Sequence, residues 1–248
     1  MFGRHHNLAR VYWVVTLATL AAAVGVLLAY TPTEATMGAV QKVFYLHLPL
    51  AINTFLAALV CFVASAGYLW QRTAWWDDLA AAGAKVAVVL CSGVLLTGMI
   101  WGRAAWGQWW TWSPRLTFSL VLFLLYAAYA AVRASVESPQ RRAVVCAVYG
   151  VIAFLDVPLV WLSARLVPEI HPPGVGLAGP MKLTLAVWFV PVTLMAAGFV
   201  MARYRLNRGE RKQPGPGRDP NRKLSETKSV PRPAAAAPRL AHVRGGAL

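Results

Sequence analysis

Six long apolar runs, nearly free of charge, dominate the pattern of hydrophobic and polar positions along the chain. They are Val11 to Tyr30, Val43 to Trp70, Lys85 to Trp101, Pro114 to Val132, Ala143 to Leu166 and Met181 to Met201. About 20 apolar residues cross a bilayer as a helix, and backbone polar groups in lipid must be satisfied within each segment. Strand-type alternation is absent from the runs, which argues against a transmembrane β-barrel. The pattern predicts an all-α fold, a polytopic integral membrane protein with a six-helix transmembrane bundle.

Composition agrees with a membrane protein. The 248 residues are 58% hydrophobic and only 13% charged, which is more apolar than a soluble domain of this size. The first run follows Arg4 and Arg10 and could be mistaken for a secretory signal. It is too long for the apolar part of a signal, and no convincing small-residue cleavage site follows before Lys42. We therefore predict an uncleaved first helix.

The charge pattern changes abruptly after the sixth run, where the chain becomes rich in Arg, Lys, Pro, Gly and Ala. This segment holds 12 of the 24 basic residues, and we predict a transmembrane domain at 1–202 and a basic cytoplasmic tail at 203–248, disordered from Asn207 onward. No aromatic residue interleaves the charges beyond Asn207, which argues against nucleic acid and favours contact with anionic membrane lipid. Basic residues near the helix ends place both termini in the cytoplasm.

The connection between the third and fourth runs is the most unusual segment. Residues 101–117 read WGRAAWGQWWTWSPRLT, with five tryptophans and two glycines. Most membrane proteins carry an interfacial aromatic belt, which is the alternative interpretation. A belt, however, spreads its tryptophans over many helix ends. Five indoles in one loop favour a flat apolar ligand.

Two of the five histidines lie on the same face of the membrane as this loop. His47 is at the start of the second predicted helix, just after connection one, and His171 lies in connection five. Connections one, three and five share one face whichever way the bundle is oriented, and with cytoplasmic termini this is the outer face. Many membrane-edge histidines bind nothing, so a shared ligand site and two interfacial polar residues both remain open.

Haem is a ligand that suits this arrangement. It offers an apolar disc for the indoles and an iron whose two axial positions accept imidazole nitrogen. Its propionates need cationic donors, and Arg103 and Arg115 bracket the loop as candidates. Trp106, Trp109 and Trp110 are at helical spacing and would form one aromatic face if the loop is partly helical. Gly102 and Gly107 would let the backbone approach a flat ligand closely.

The same residues resemble the WWD-domain haem-handling proteins of cytochrome c maturation, most closely their six-helix members. The resemblance covers roughly Val11 to Met201. It rests on a spaced signature in the loop and on the two histidines: Trp101-Gly102, Trp106-Gly107, Trp109-Trp110, Trp112, Arg115-Leu116-Thr117, His47 and His171.

This resemblance implies a function and a set of partners. His47 and His171 would be the axial ligands of a non-covalently bound haem b, and the Trp loop would hold the porphyrin at the outer face of the bacterial inner (plasma) membrane. A periplasmic haem chaperone would receive the haem, and ABC-type transporter subunits of the cytochrome c maturation system would be partners.

The chain departs from the family pattern at Ser113, where these proteins usually have Asp. Ser113 before Pro114 is still a helix N-cap followed by proline at the first helical position. We therefore expect the start of helix four to be preserved, with loss of a negative charge. A second Trp-Trp-Asp string, 75–77, lies in connection two without the surrounding glycines and arginines. We interpret it as an interfacial segment.

Several chemistries are disfavoured by what the sequence contains. Cys61, Cys91 and Cys146 lie in separate spans without a C-x-x-C-H motif, so the chain is not itself a c-type cytochrome. A Gly-rich phosphate loop is absent, so any ATP hydrolysis would belong to a partner. We predict a protein that binds and passes on haem without catalysing bond chemistry.

Two other functions remain open. One is a transporter or permease whose outer vestibule is aromatic, and a weaker one is an enzyme that uses Asp156 with an outer histidine. Asp156 lies in the middle of the fifth run, two residues before Pro158. We interpret it as a polar group that stabilises a proline kink.

Overall fold

The computed structural model describes residues 2–166 and 176–212 of the chain. Its helices are α1 Phe2–Ala29, α2 Phe44–Gln71, α3 Ala74–Trp106, α4 Pro114–Ser135, α5 Pro139–Ala153, α6 Asp156–Leu166 and α7 Gly179–Lys212, with a short 3₁₀ helix, Ala39–Val43, before α2. Within the described residues, six helical stretches are long and apolar enough to cross a membrane, and the fifth combines α5 with most of α6. The prediction of an all-α bundle of six transmembrane helices is confirmed. All packing described below lies within Met1–Glu210, which forms one compact unit.

The centre of the bundle is the antiparallel pair of α2 and α3. Small buried side chains line both sides of this contact: Ala57, Ala58, Cys61 and Ala64 on α2, and Ala80, Ala84 and Ala87 on α3. At Gly83 a Cβ atom would lie 2.8 Å from the backbone nitrogen of Cys61 and 2.9 Å from the carbonyl oxygen of Ala57. The two backbones therefore approach as closely as small residues allow at membrane helix interfaces.

Helices α4, α5 and α6 cover one side of this pair. The buried face of α4 carries Leu122, Tyr126 and Tyr129, spaced as one side of a helix requires. Helix α4 packs against α3, α5 and α6, while α5 also packs against α2. Phe62 of α2 stacks on Phe154, with ring centroids 4.6 Å apart.

Helices α1 and α7 pack against each other. The Tyr12 hydroxyl donates to the Leu194 carbonyl at 2.5 Å, and the hydroxyls of Thr31 and Thr184 lie 2.9 Å apart. Helix α7 also reaches α2, where Asn53 Nδ2 donates to Thr193 Oγ1 at 3.1 Å. These polar contacts tie the first and last spans to each other and to α2.

Helix α3 begins at Ala74, well before the predicted start at Lys85. The prediction was wrong because Asp77 and Asp78 interrupt the apolar run, although both are only 3% exposed. Arg133, near the end of α4, donates from Nη1 to Asp77 Oδ1 at 2.6 Å and from Nη2 to Oδ2 at 2.9 Å. A paired, doubly hydrogen-bonded charge is tolerated inside a protein where an isolated one is not.

Helix α7 continues to Lys212, past the predicted end of the span at Met201. Asn207 is 9% exposed, and its Nδ2 donates to the backbone carbonyl of Asp78 at 2.8 Å. The prediction of disorder from Asn207 onward is therefore wrong for 207–212, because this contact anchors the helix end to α3. Residues 213–248 of the predicted tail lie outside the described part of the chain.

The fifth span is broken at Phe154 and Leu155, between α5 and α6. The sequence predicted one helix with a kink at Pro158, and this is wrong in detail. Pro158 lies in the first turn of α6, where its missing N–H costs no helical hydrogen bond. Asp156 begins α6 and is 5% exposed, and its Oδ2 has no hydrogen-bond partner.

A short turn joins α1 to the 3₁₀ helix. The Glu34 Oε2 atom accepts the backbone N–H groups of Thr36, at 2.8 Å, and of Met37. The hydrogen bond from the Met37 N–H holds the pKa of the Glu34 carboxyl below its usual value, against the opposing effect of burial and with a smaller contribution from the Thr36 N–H. The turn leads directly into Lys42 and the start of α2.

Candidate ligand-binding site

Helix α3 ends inside the tryptophan-rich segment. The helix continues to Trp106, and Gly107 follows in a left-handed conformation, with φ of 75° and its N–H bonded to the Arg103 carbonyl at 3.1 Å. Glycine adopts this conformation without a Cβ penalty, so it ends the helix. The loop therefore comprises only residues 107–113, and the expectation of a loop from Trp101 to Thr117 is corrected. Because Trp109 and Trp110 follow the helix end, they do not continue the helical face begun by Trp106.

Helix α4 begins as the sequence predicts. Ser113 is the N-cap residue, in an extended conformation, and Pro114 is the first helical residue. The Ser113 side chain makes no capping hydrogen bond. The proline and the extended backbone before it are thus sufficient to start α4.

A groove lies between α3, α4 and the loop, with one side completed by α2. We call it the Trp groove. It encloses about 750 Å³ of empty space, part of it open to solvent. Its lining includes His47, Gly98, Met99, Trp101, Gly102, Trp106, Gln108, Trp109, Trp110, Thr111, Ser113 and Arg115. Predicted site residues from three helices and the loop therefore meet in one concave surface.

His47 lies in the first turn of α2 and is held from α3. Its Nδ1 is 2.8 Å from Thr97 Oγ1. Its ring meets the Trp101 ring nearly edge-on, with centroids 5.8 Å apart and an interplanar angle of 68°. A Cβ atom on Gly98 would lie 3.2 Å from His47 Cε1. The imidazole is therefore positioned by three neighbours on one helix.

The five tryptophans of the signature differ in their environments. Trp101 is 2% exposed and packs against Trp106 and Phe44, so it supports the base of the groove. Trp106, Trp109 and Trp110 line the groove. Trp110 Nε1 is buried without a hydrogen-bond partner. Trp112 is 75% exposed and does not line the groove.

The two predicted arginines also differ. Arg115, in the first turn of α4, lines the Trp groove. Arg103 does not line it, and its Nη1 donates to the Gly107 carbonyl. Arg103 therefore holds the end of α3 and the start of the loop.

The two predicted glycines serve the fold as well as the groove. Gly107 ends α3 and does not line the groove. Gly102 lines it, and a Cβ atom there would lie 3.1 Å from the Gln108 carbonyl oxygen. The absence of a side chain at Gly102 lets the loop fold back on α3.

His171 lies outside the described residues, so the structure says nothing of its position. Thr97 and Gly98, which contact His47, were missed by the sequence analysis. The available signal was their position on the last turns of the third apolar run, one helical turn before Trp101 and Gly102. Among residues 2–166 and 176–212, no three His, Cys, Asp or Glu side chains form a metal-holding group.

The second Trp-Trp-Asp string lies at the opposite end of α3. Trp75 and Trp76 stack with ring centroids 3.7 Å apart, and Trp76 Nε1 donates to Gln71 Oε1 at 3.0 Å. Asp77 follows and pairs with Arg133. These residues lie in the first turns of the helix rather than in a connection, and they are absent from the lining of the Trp groove.

Fold and groove together define a polytopic helical membrane protein that presents a histidine and several tryptophans in one open groove at a helix end. A family model agrees with this class. The model described as "CcmC: Heme exporter protein C" matches residues 3–212. The chain belongs to the heme exporter protein C family, which confirms the resemblance noted from the sequence.

Similar curated proteins carry the same name. The heme exporter protein C of Paracoccus denitrificans is 34% identical over 196 residues, covering 76% of this chain and 79% of the relative. That of Rhodobacter capsulatus is 39% identical over 153 residues, covering 58% and 62%. That of Haemophilus influenzae is 26% identical over 210 residues, covering 81% and 84%. The similarity thus extends over most of the helical bundle.

Proposed function

We propose that this protein binds haem in the Trp groove and passes it on for cytochrome c assembly, without catalysing bond chemistry. The observation that carries the proposal is the meeting of His47 with four tryptophans, Trp101, Trp106, Trp109 and Trp110, in one groove. Membership of the heme exporter protein C family supports haem as the cargo.

The groove residues suit haem chemically. Indole rings contribute flat apolar surface for a porphyrin, and a neutral imidazole is a common axial ligand of haem iron. No cluster of three metal-binding side chains is needed, because the porphyrin supplies four of the iron ligands. His47 would supply one axial nitrogen, and His171 the other by the resemblance to the family.

Polar groups at the groove suit the propionates. Arg115 lines the groove and can form a two-point contact with a carboxylate. The buried and unpartnered Nε1 of Trp110 is a second donor, since a carboxylate oxygen accepting from it would remove the cost of its burial. Arg103 could contact a propionate only if it gave up its hydrogen bond to the Gly107 carbonyl.

The proposal extends to location and partners. We place the Trp groove at the outer face of the bacterial inner membrane with both termini in the cytoplasm, on the distribution of basic residues. Bound haem would then be accessible to a periplasmic haem chaperone. The resemblance to the family implies ABC-type transporter subunits as further partners, and any ATP hydrolysis would belong to them.

The test is a haem titration of the purified protein in detergent, followed by the Soret band. Wild-type protein is expected to bind haem with a histidine-ligated spectrum. His47→Ala should weaken haem binding by about 100-fold or more. Loss of an iron ligand should cost more affinity than loss of a residue that only hydrogen-bonds to a ligand. His6→Ala, at the amino-terminal end of α1, is the matched control and should leave the spectrum unchanged.

Two results would contradict the proposal. One is wild-type protein that develops no Soret band after haem is supplied. The other is a double variant, His47→Ala with His171→Ala, whose spectrum equals that of the wild type. In the second case haem would bind elsewhere on the chain.

A further inference from the structure

Thr97 is the polar neighbour of His47 on α3. Its Oγ1 lies 2.8 Å from His47 Nδ1, 2.7 Å from the Gly93 carbonyl oxygen and 3.2 Å from the Val94 carbonyl oxygen. A threonine hydroxyl has one hydrogen to donate and two lone pairs to accept with. The three contacts therefore cannot all be donated by Thr97.

The distances decide where that hydrogen lies. Two oxygens 2.7 Å apart are at the usual length of an O–H···O hydrogen bond, and the carbonyl of Gly93 can only accept. Thr97 must therefore donate to Gly93, as threonines in helices commonly do toward the residue four positions earlier. The contact with His47 then requires the hydrogen to come from Nδ1.

This arrangement selects one form of the neutral imidazole. A neutral histidine carries a single N–H, so a hydrogen on Nδ1 leaves the lone pair on Nε2. A flip of the ring would place Cδ2 where Nδ1 now lies, so it would lose the contact with Thr97 beside the edge-on ring of Trp101. Nε2 is thus the nitrogen able to bind a metal.

We propose that Thr97 is a positioning residue for haem binding, which holds His47 as the Nδ1–H tautomer and so makes Nε2 the iron ligand. This inference rests on the proposed function, because it assumes that His47 binds haem iron. Histidines that bind metals usually donate their second N–H to a nearby acceptor, which orients the ring and increases its basicity. Thr97 supplies that acceptor here.

The first experiment needs no haem. Protein with ¹⁵N-labelled histidine, in detergent at a pH where His47 is neutral, is examined by NMR, and the His47 signals are assigned by their loss in His47→Ala. Wild type and Thr97→Ser should show the Nδ1–H tautomer, and Thr97→Val should lose it. An Nε2–H tautomer in the wild type would overturn the inference.

The second experiment measures haem binding in the same variants. Thr97→Val should weaken haem binding by about 10–100-fold and raise the midpoint potential, because a less basic imidazole stabilises ferric iron less. Thr97→Ser should restore both values. Thr54→Val removes a similar hydroxyl from α2, where it donates to the Leu50 carbonyl at 2.9 Å, and should change neither.

The outcomes separate the two proposals. If His47→Ala abolishes haem binding while Thr97→Val binds haem with wild-type affinity and potential, the role of Thr97 is wrong and the proposed function stands. If His47→Ala binds haem as the wild type does, the proposed function at His47 is wrong, whatever tautomer the NMR spectrum shows. Circular dichroism of Thr97→Val, with Thr97→Ser as the conservative variant, excludes misfolding as the cause of a loss.

Discussion

The two ends of α3 carry similar aromatic residues but differ in how their polar groups are satisfied. At the start of the helix, Trp75 and Trp76 stack together and Asp77 pairs with Arg133. We call this the paired end. At the other end, the tryptophans spread around the Trp groove and the Nε1 of Trp110 lacks a partner. A Trp-Trp string therefore indicates a ligand site only where its rings line a groove and its polar groups are not already hydrogen-bonded within the protein.

Because of this difference, substitutions at the two ends of α3 should affect different properties, the stability of the fold at one end and haem affinity at the other. Charges buried at the paired end are compensated within the chain, so changes there should alter the free energy of unfolding. Polar and aromatic groups in the Trp groove are compensated by a ligand under the proposed function. Changes there should alter haem affinity and leave the fold largely intact.

The largest expected effect comes from breaking the ion pair. Asp77→Leu leaves Arg133 buried without its partner, which should lower the free energy of unfolding by about 3–5 kcal/mol. The double variant Asp77→Leu with Arg133→Met should recover most of this loss, because both charges are replaced by apolar groups. Unfolding in mixed detergent micelles measures both values. A double variant as unstable as the single one would show that the pair does not account for the loss.

Next in size is the loss of an indole from the Trp groove. Trp110→Ala should reduce haem affinity by about 1.5–3 kcal/mol, roughly 10–100-fold, since a large apolar contact is lost. Trp70→Ala is the matched control, because Trp70, near the end of α2, is exposed and does not line the groove. Haem titration followed by the Soret band measures both. Equal losses in the two variants would contradict the assigned geometry.

The smallest effects come from the same substitution at two glycines, Gly67 of α2, which faces the start of α3, and Gly98 in the second half of α3. A Cβ atom on Gly67 would lie 2.6 Å from the Trp76 ring, and Gly67→Ala should destabilise the fold by about 1–3 kcal/mol. On Gly98 a Cβ atom would lie 3.2 Å from His47 Cε1, so the imidazole need shift only a few tenths of an ångström. Gly98→Ala should leave unfolding nearly unchanged and lower haem affinity about tenfold, within the range for displaced ligand groups.

This pair of variants tests the comparison directly. Unfolding and haem titration are measured for both proteins. If Gly98→Ala destabilises the fold as much as Gly67→Ala and leaves haem affinity unchanged, the proposed separation of stability from binding at the two ends is wrong.

Hydropathy predicted the number of transmembrane spans and their helical type, because lipid requires long apolar helical segments, but it did not predict the break between α5 and α6. It misplaced the start of α3, since burial of Asp77 depends on Arg133, which is distant in sequence. It also ended the third span too early, although Gly107 is a common signal for a helix end. A hydropathy pattern contains neither the ion pair between distant residues nor the point at which the chain turns back.

Helix parity predicted which candidate site residues share one face of the membrane. His47 and the tryptophan-rich segment were expected on one face, and they meet in the Trp groove. The positions of Thr97 and Gly98, one turn before Trp101 and Gly102, indicate that they lie near the groove, but their contacts with His47 depend on the register between α2 and α3, which the sequence does not contain. The role of His171 as a second axial ligand stays a prediction.

The close approach of α2 and α3 at Gly83 has a consequence for how cargo can leave. Backbone atoms already in near contact leave these two helices no room to slide or separate without losing their shared alanine-rich interface. His47, Thr97 and Trp101 belong to this tightly packed pair of helices. Under the proposed function, release of haem would therefore depend on the opposite wall, the seven-residue loop 107–113 and the first turn of α4, whose displacement would uncover haem while His47 stays in place.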